Sequence, residues 1–162
     1  DLLFTATPTI MAELSYMTLF DEPLWIGLST ENELSKLKMV EGHHLKGQKV
    51  ITLGIGHQLF EQAQVIASQY NCQIMSEYEG TSLDAVRHMV AMNMGLSFFP
   101  ALYAASEIKD SEEIKVLPFS KKSFKRSIGL AWRRTSPRIK DYHIIANIIN
   151  SELKERFASI ID

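Results

Sequence analysis

Cysteine is almost absent from this chain: Cys72 is its only thiol. A single cysteine excludes an intrachain disulfide framework and a two-cysteine redox switch within one molecule, so any disulfide would have to join two copies. Long apolar runs are absent as well. No stretch approaches the roughly 20 consecutive apolar residues of a membrane helix, and the opening Asp1-Leu2-Leu3-Phe4 lacks the basic start and cleavage pattern of a signal peptide. A cytoplasmic protein with no membrane partner is expected. Positive charge is not in surplus either: a formal net charge of -2 gives no ground for direct nucleic-acid binding, which shows as a basic excess on one face. No internal repeat and no low-complexity tract breaks the sequence.

What is present is a chain of 162 residues, 46% of them hydrophobic, long enough to bury roughly two thirds of its unfolded surface in one compact body or two small lobes. The best punctuated stretch runs from Thr81 to Pro100. A small hydroxyl residue, Thr81, opens an amphipathic helix whose Leu83, Val86 and Val90 recur at helical spacing. Gly95 then releases the chain into a short buried strand, Leu96 to Phe99, stopped by Pro100.

Before it, Leu2-Leu3-Phe4-Thr5-Ala6 reads as a buried strand with no lead-in, as in a fragment. Leu14, Tyr16, Thr18 and Phe20 alternate as a half-buried strand, Asp21-Glu22-Pro23 interrupts it, and Leu24 to Leu28 resumes as a second. A short helix is expected at Glu33 to Leu37, then a buried parallel strand at Lys49 to Leu53, ended by Gly54-Ile55-Gly56. Leu59, Ala63, Ile66 and Tyr70 define a helix with Glu61 in its first turn and Asn71 as its stop, and Ile74 to Glu79 is the next strand. After Pro100 come a short helix from Ala101 to Ser106 and strands at Ile114 to Leu117 and Lys125 to Trp132. A last helix, capped by Ser136-Pro137, carries Tyr142, Ile145, Ile149, Leu153 and Phe157 on one stripe. Strands alternating with helices imply the α/β class, with a largely parallel sheet covered on both faces.

Gly54-Ile55-Gly56 ahead of a helix invites a nucleotide-binding reading, because glycines let backbone amides approach a pyrophosphate. Leu59 stands where the third glycine would be, so the stretch reads as a plain strand-to-helix turn. Its free amides, with His57 and Gln58 beside them, still make a polar, mildly anion-attracting site at the carboxyl end of a strand, where open α/β sheets bind small ligands. His43-His44 point in opposite directions on an extended loop, with no further ligand to complete a metal set, and read as a solvated pair. His88 and His143 read as helix-surface histidines. No nucleophile elbow or catalytic Cys and His pairing exists, and Glu112-Glu113 read as loop charges, so no catalytic residue, metal or cofactor is assigned and the chain is read as non-enzymatic. Lys121, Lys122, Lys125, Arg126, Arg133, Arg134, Arg138 and Lys140 read as a solvated rim, with phosphate contact as the other reading. Arg126 stands apart, since an arginine in an otherwise apolar strand needs an acceptor or a ligand.

Taken in order, Leu19-Phe20-Asp21-Glu22-Pro23, Gly56-His57-Gln58-Leu59, the Thr81 to Pro100 unit and Arg126-Ser127-Ile128-Gly129-Leu130 resemble the effector-binding domain of LysR-type transcriptional regulators, nearest to the OxyR-type peroxide sensors. The resemblance covers essentially the whole chain. It implies a periplasmic-binding-protein-like fold of two α/β subdomains, joined by crossover strands around Leu19 to Pro23 and Lys125 to Gly129, with the inducer site in the cleft between them. On that pattern residues 22–124 are subdomain II, whole, while 1–21 and 125–162 are part of subdomain I. The resemblance further implies that the opening βα units of subdomain I, the linker helix and the DNA-binding helix-turn-helix lie outside this chain. The resemblance also implies a homodimer through the regulatory domains, a tetramer in the full-length protein, DNA contact only through the missing N-terminal domain, and RNA polymerase as a further partner.

In OxyR-type sensors the Gly-His of this turn is followed by a peroxide-reactive cysteine, with a resolving cysteine one helical stretch later. Here Gln58 and Ala67 hold those positions, and Cys72 is displaced by more than a turn. An amide cannot supply thiolate chemistry. The family's peroxide-site arginine matches Arg126, Ser97 stands in place of a threonine, and His57 is retained. The effector-binding residues implied are His57, Gln58, Ser97, Arg126, Thr81 and Ser82. Three readings stay open. A small polar or anionic molecule binds in the cleft and replaces oxidation as the switch; or the protein is an OxyR-like oxidative-stress regulator that is non-inducible, with Gln58 locking one state, or that uses Cys72; or it is a solute-binding protein or enzyme fragment of the same fold. On the plainest reading His57 and Gln58 merely cap a helix.

Overall fold

A computed structural model describes residues 2–6, 12–119 and 124–161. The chain divides into two compact units, one made of Asp1–Pro23 with Lys125–Asp162 and the other of Leu24–Phe124.

In the first unit three antiparallel strands lie in the order β1 (Leu2–Ala6), β7 (Lys125–Arg133) and β2 (Leu14–Ser29, which belongs to this unit as far as Pro23). The middle place falls to β7, whose residues Ile128 to Trp132 are all buried. Gly129 is required there, because a Cβ on it would collide with the Met17 carbonyl oxygen of β2. One face of this sheet is covered by α4 (Ile139–Phe157), with Leu130, Trp132, Tyr142 and Ala146 buried between them and Ile149 packed alongside.

Four expectations change in this unit. β1 is not buried: it has a neighbour on one side only, and Leu3 and Phe4 are 59% and 56% exposed. Asp21-Glu22-Pro23 does not interrupt β2, which runs unbroken to Ser29. As far as Pro23 the strand pairs on one side only, with β7, and a proline nitrogen is tolerated on an open edge. The last helix starts at Ile139, after a turn in which Ser136 Oγ accepts from the Arg138 N–H at 3.3 Å and its hydroxyl reaches Tyr142 Oη at 3.0 Å. Its buried stripe runs through Tyr142, Ala146 and Ile149, leaving Ile145 at the margin, because a step of three residues falls 60° short of a full turn.

The second unit holds β3 (Lys49–Leu53) and β4 (Gln73–Gly80) in parallel, and Val50 bridges in parallel to Leu96, just before β5 (Ser97–Pro100). β5 and β6 (Ile114–Pro118) flank the Leu24–Ser29 end of β2, both antiparallel. The core gathers Leu24, Ile26, Leu28, Ile51, Phe98 and Phe99, with helices α1 (Gln58–Tyr70) and α2 (Leu83–Ala91) contributing Leu59, Ala63, Ile66, Val86 and Val90. A short α3 (Ala101–Tyr103) runs into a π-helical turn, Ala104–Ile108. The expected helix at Glu33 is a single 3-10 turn, Glu33–Lys36.

The sheet is therefore less parallel than the alternation of elements implied. Among the described residues β3 with β4 is the one parallel strand pair, supplemented by isolated parallel bridges, while every pairing of β2 and β7 is antiparallel. The chain leaves the first unit along β2 and returns along β7, so these two lie side by side in opposite senses. Two local signals also shift. Ser82, not Thr81, caps α2, and the left-handed residue after that helix is Asn93 (φ 56), not Gly95. Gly95 is needed for space instead, since a Cβ there would sit 2.8 Å from the Lys49 carbonyl oxygen. No described helix is long and apolar enough to cross a membrane.

Candidate functional site

Parallel pairing of β3 with β4 sets their carboxyl ends side by side, with Leu53 opposite Gly80. The turns that follow, Gly54 to His57 and Thr81 to Ser82, thus emerge at one edge of the second unit, and each feeds a helix N-terminus whose first amides lack helical partners. Gly56 takes φ +97, a conformation that suits glycine. At Gly54 a Cβ would lie 2.9 Å from Glu79 Oε2, so the missing side chain lets that carboxylate rest against the turn.

His57 occupies the cap position of α1, but its ring makes no capping bond and is exposed; only its carbonyl serves the helix, accepting from Phe60 N at 2.9 Å. Gln58, half-buried, is the first helical residue. On the neighbouring turn Ser82 Oγ accepts from the Ala85 N–H at 3.1 Å, and Thr81 is exposed. The edge thus brings together four of the six expected residues.

Of the other two, Ser97 lies deeper in the second unit and Arg126 belongs to the first. Ser97 is 1% exposed in β5, opposite Gly27 and one residue beyond the Val50 to Leu96 bridge. That register places it level with Ile51, inside the sheet and short of the turns. Arg126 belongs to the first unit, where it faces Glu22 across β7 and β2. Its Nε donates to Glu22 Oε2 at 2.7 Å, and Nη2 lies 2.7 Å from the same oxygen. Glu22 is 1% exposed, and a carboxylate so buried costs several kcal/mol unless paired. The acceptor that Arg126 needed is therefore Glu22, which the sequence showed as part of a strand break and a crossover and not as a partner for the arginine. Next to this pair, Ser127 Oγ donates to Asp21 Oδ1 at 2.6 Å.

Carboxylates surround the two-turn edge. Glu61 and Asp84 sit in the first turns of α1 and α2, and Glu79 is on β4. Asp84 Oδ1 accepts from the Tyr103 hydroxyl at 2.7 Å and lies 3.5 Å from Arg87 Nε. Burial, then the Asp84 hydrogen bond and charge, push the Tyr103 phenol up to about 12. The i, i+3 spacing of Asp84 and Arg87 could have marked this cluster in the sequence.

Cys72 follows the left-handed Asn71 (φ 54), is half-buried, and has its thiol pushed up from the ordinary range by burial. With Glu61, Val65, Ala67 and Ile74 it lines an open groove of about 1020 Å³ that contains none of the expected effector residues. His43 and His44 do not point apart: in the 3-10 turn Gly42–Leu45 their rings lie 3.9 Å apart, and His44 Nδ1 accepts from the Glu41 N–H. Among the described residues no group of three or more His, Cys, Asp or Glu could hold a metal ion. Lys121 and Lys122 of the basic run lie outside the described residues.

Residues 1–148 match the family described as the LysR substrate binding domain. The chain is 29% identical over 143 residues to the DNA-binding transcriptional dual regulator OxyR of Escherichia coli (strain K12), a match covering 88% of this chain and 47% of that protein. It thus spans about half the length of the curated relatives it matches. Among solved structures, the oxidized form of OxyR superposes with a TM-score of 0.83 at 27% identity, covering 97% of this chain and 74% of the other. The reduced OxyR regulatory domain from Pseudomonas aeruginosa gives 0.79 at 27% identity, covering 93% and 72%.

Proposed function

This chain belongs to the LysR substrate binding domain family, and from that premise we propose that it is the effector-sensing regulatory domain of an OxyR-like, DNA-binding transcriptional regulator in which a small polar molecule replaces thiol oxidation as the switch. One observation carries this reading: Gln58, and not a thiol, follows Gly56-His57 at the head of α1. A carboxamide donates and accepts hydrogen bonds but forms neither a sulfenic acid nor a disulfide. The exposed His57 ring, the Gln58 amide and the Thr81 and Ser82 hydroxyls are the groups offered to the molecule at the two-turn edge, with Ser97 deeper in the same unit; Arg126 is the further effector-binding residue proposed from the family resemblance. Binding acts by favouring one arrangement of a two-state assembly. DNA contact through a part outside this chain, RNA polymerase as a partner, a homodimer and higher tetramer, a cytoplasmic setting and the lack of catalysis belong to the same proposal.

The test is exposure of the protein to hydrogen peroxide, followed by intact mass and by size-exclusion chromatography. The expected result is Cys72 recovered as a free thiol and an unchanged oligomeric state, because the burial that raises its pKa leaves little reactive thiolate at neutral pH. A disulfide joining Cys72 of two copies overturns the proposal in favour of a regulator that senses oxidant through this residue.

A further inference from the structure

We propose that residues 41–45 form a pH-sensitive latch on the carboxyl end of α1, closed while the His44 ring is neutral and opened when that ring takes a proton. The latch lies within the second unit and does not depend on the effector role proposed above.

Two reciprocal bonds between Glu41 and His44 close the 3-10 turn Gly42–Leu45. The His44 N–H donates to the Glu41 carbonyl at 3.0 Å, and the Glu41 N–H donates to His44 Nδ1 at 3.0 Å. The second bond fixes the state of the ring, because a ring nitrogen that accepts carries no proton, whereas an imidazolium is a donor at both nitrogens. Protonation of His44 therefore sets two N–H groups against each other at hydrogen-bond distance. The His43 ring lies 3.9 Å from that of His44, and its Nδ1 is 3.5 Å from Glu41 Oε2. Once charged, His43 is held in place by that carboxylate, so a proton on His44 also brings two like charges together.

Closed, the turn holds the exit of α1. Gly42 is pressed so closely against Tyr70, the last residue of α1, that a Cβ on the glycine would overlap the ring. Leu45 is fully buried. Just beyond it the Gly47 N–H donates to the Asn71 carbonyl at 2.9 Å, and the Gln73 N–H donates back to the Gln48 carbonyl at 2.9 Å, so the chain after the turn is stitched to the start of β4. Tyr70 in its turn meets Phe119 edge-on, with ring centroids 5.6 Å apart. The other ionisable side chains at this junction are Lys46, Tyr70 of α1 and Cys72, whose thiol is pushed up by burial. Amines and phenols titrate well above, and carboxylates such as Glu41 below, the range of about pH 5 to 8 in which histidine changes charge. The one further titratable side chain of α1, Glu61, is in its first turn at the far end. The bond to His44 Nδ1 is thus present above the range in which histidine takes its proton and lost below it.

The experiment titrates the 15N-labelled chain from about pH 8 to about pH 5. It follows the ring resonances of His44 and the protection of backbone amides against solvent exchange, corrected for the intrinsic pH dependence of exchange. Protection of the Glu41 amide is expected to fall about three- to tenfold, the scale of one hydrogen bond, with the midpoint at which His44 titrates, and the Gly47 and Gln73 amides are expected to lose protection with it. His44→Asn puts an amide oxygen where Nδ1 stands and does not titrate. In that variant Glu41 is expected to stay protected across the range, and a dispersed spectrum reports that it is folded. A Glu41 amide protected equally at both ends of the range overturns the latch, and loss at Glu41 without loss at Gly47 and Gln73 overturns its hold on α1. A loss that persists in His44→Asn assigns the response to another group and overturns it as well. Where His44→Asn does not fold, the parent chain decides alone: coincident midpoints for His44 and Glu41 support the latch, and separate midpoints overturn it.

Discussion

At the residue scale the Glu22 to Arg126 pair shows how far a single side chain can be read alone. That Arg126 required a partner was legible, because a guanidinium among Ile128, Leu130 and Trp132 on one strand is costly without an acceptor. Which partner it takes was not, because Glu22 is 104 positions away in the sequence and meets it only through the register of β2 with β7. His57 and Gln58 were legible as turn residues by their place after Gly54-Ile55-Gly56, and Ser97 was legible as polar in an apolar strand. Its depth in the sheet was not, since depth depends on which residue of β3 lies beside Leu96. The pair makes a direct prediction. Arg126→Ala removes two 2.7 Å contacts from the buried Glu22 carboxylate and should destabilise the protein by about 3 kcal/mol, read as a lower urea midpoint with an unchanged slope. A loss below about 1 kcal/mol, the scale of an exposed pair, would mean that Glu22 is satisfied by other groups.

At the scale of elements, start and stop signals placed most strands and helices within a residue or two. Lys49–Leu53 fell where apolar β-branched residues predicted, and Asn71 ended α1 as expected, doing so in the left-handed conformation. The errors arose where an element's context overrode its local chemistry. Pro23 reads as a breaker in isolation and is tolerated on an open strand edge, while Ser136-Pro137 reads as a cap but forms a turn that leads into α4. Between elements, the Tyr103 hydroxyl of α3 clasps Asp84 of α2 at 2.7 Å. The Tyr103 phenol is raised from its ordinary 10.0 to about 12 in the folded chain. A raised pKa means that the folded state holds this proton more tightly, so its stabilising contribution is complete below pH 10 and is lost as pH rises through about 12. Tyr103→Phe should therefore melt below the parent protein up to pH 10, and the gap should close at higher pH. A gap independent of pH would assign the difference to packing alone.

At the scale of the whole molecule, the two units differ in how they are made. The second is one continuous segment, Leu24–Phe124, and its ends are tied by the Leu24 N–H donating to the Phe124 carbonyl at 3.0 Å. It also owns the larger core. The first unit is assembled from two separated segments, and its described cluster has four fully buried members, Leu130, Trp132, Tyr142 and Ala146. Residues 24–124 expressed alone should accordingly fold, with dispersed amide resonances and a cooperative melt. A collapsed, undispersed spectrum would show that the second unit depends on the first. The sequence by itself determined the α/β class, the position of nearly every element, the polar character of the turns after β3 and β4, and the absence of a cysteine from the position after His57. The last is read directly from the residue at position 58, and the others follow from the spacing of apolar residues and from turn chemistry, which act over a few positions. Only the tertiary structure decided that β2 pairs with β7 from Leu14 to Pro23, that Glu22 holds Arg126, and that Glu79 lies against Gly54. Each of these depends on register between strands far apart in the chain, and local propensity carries no information about register.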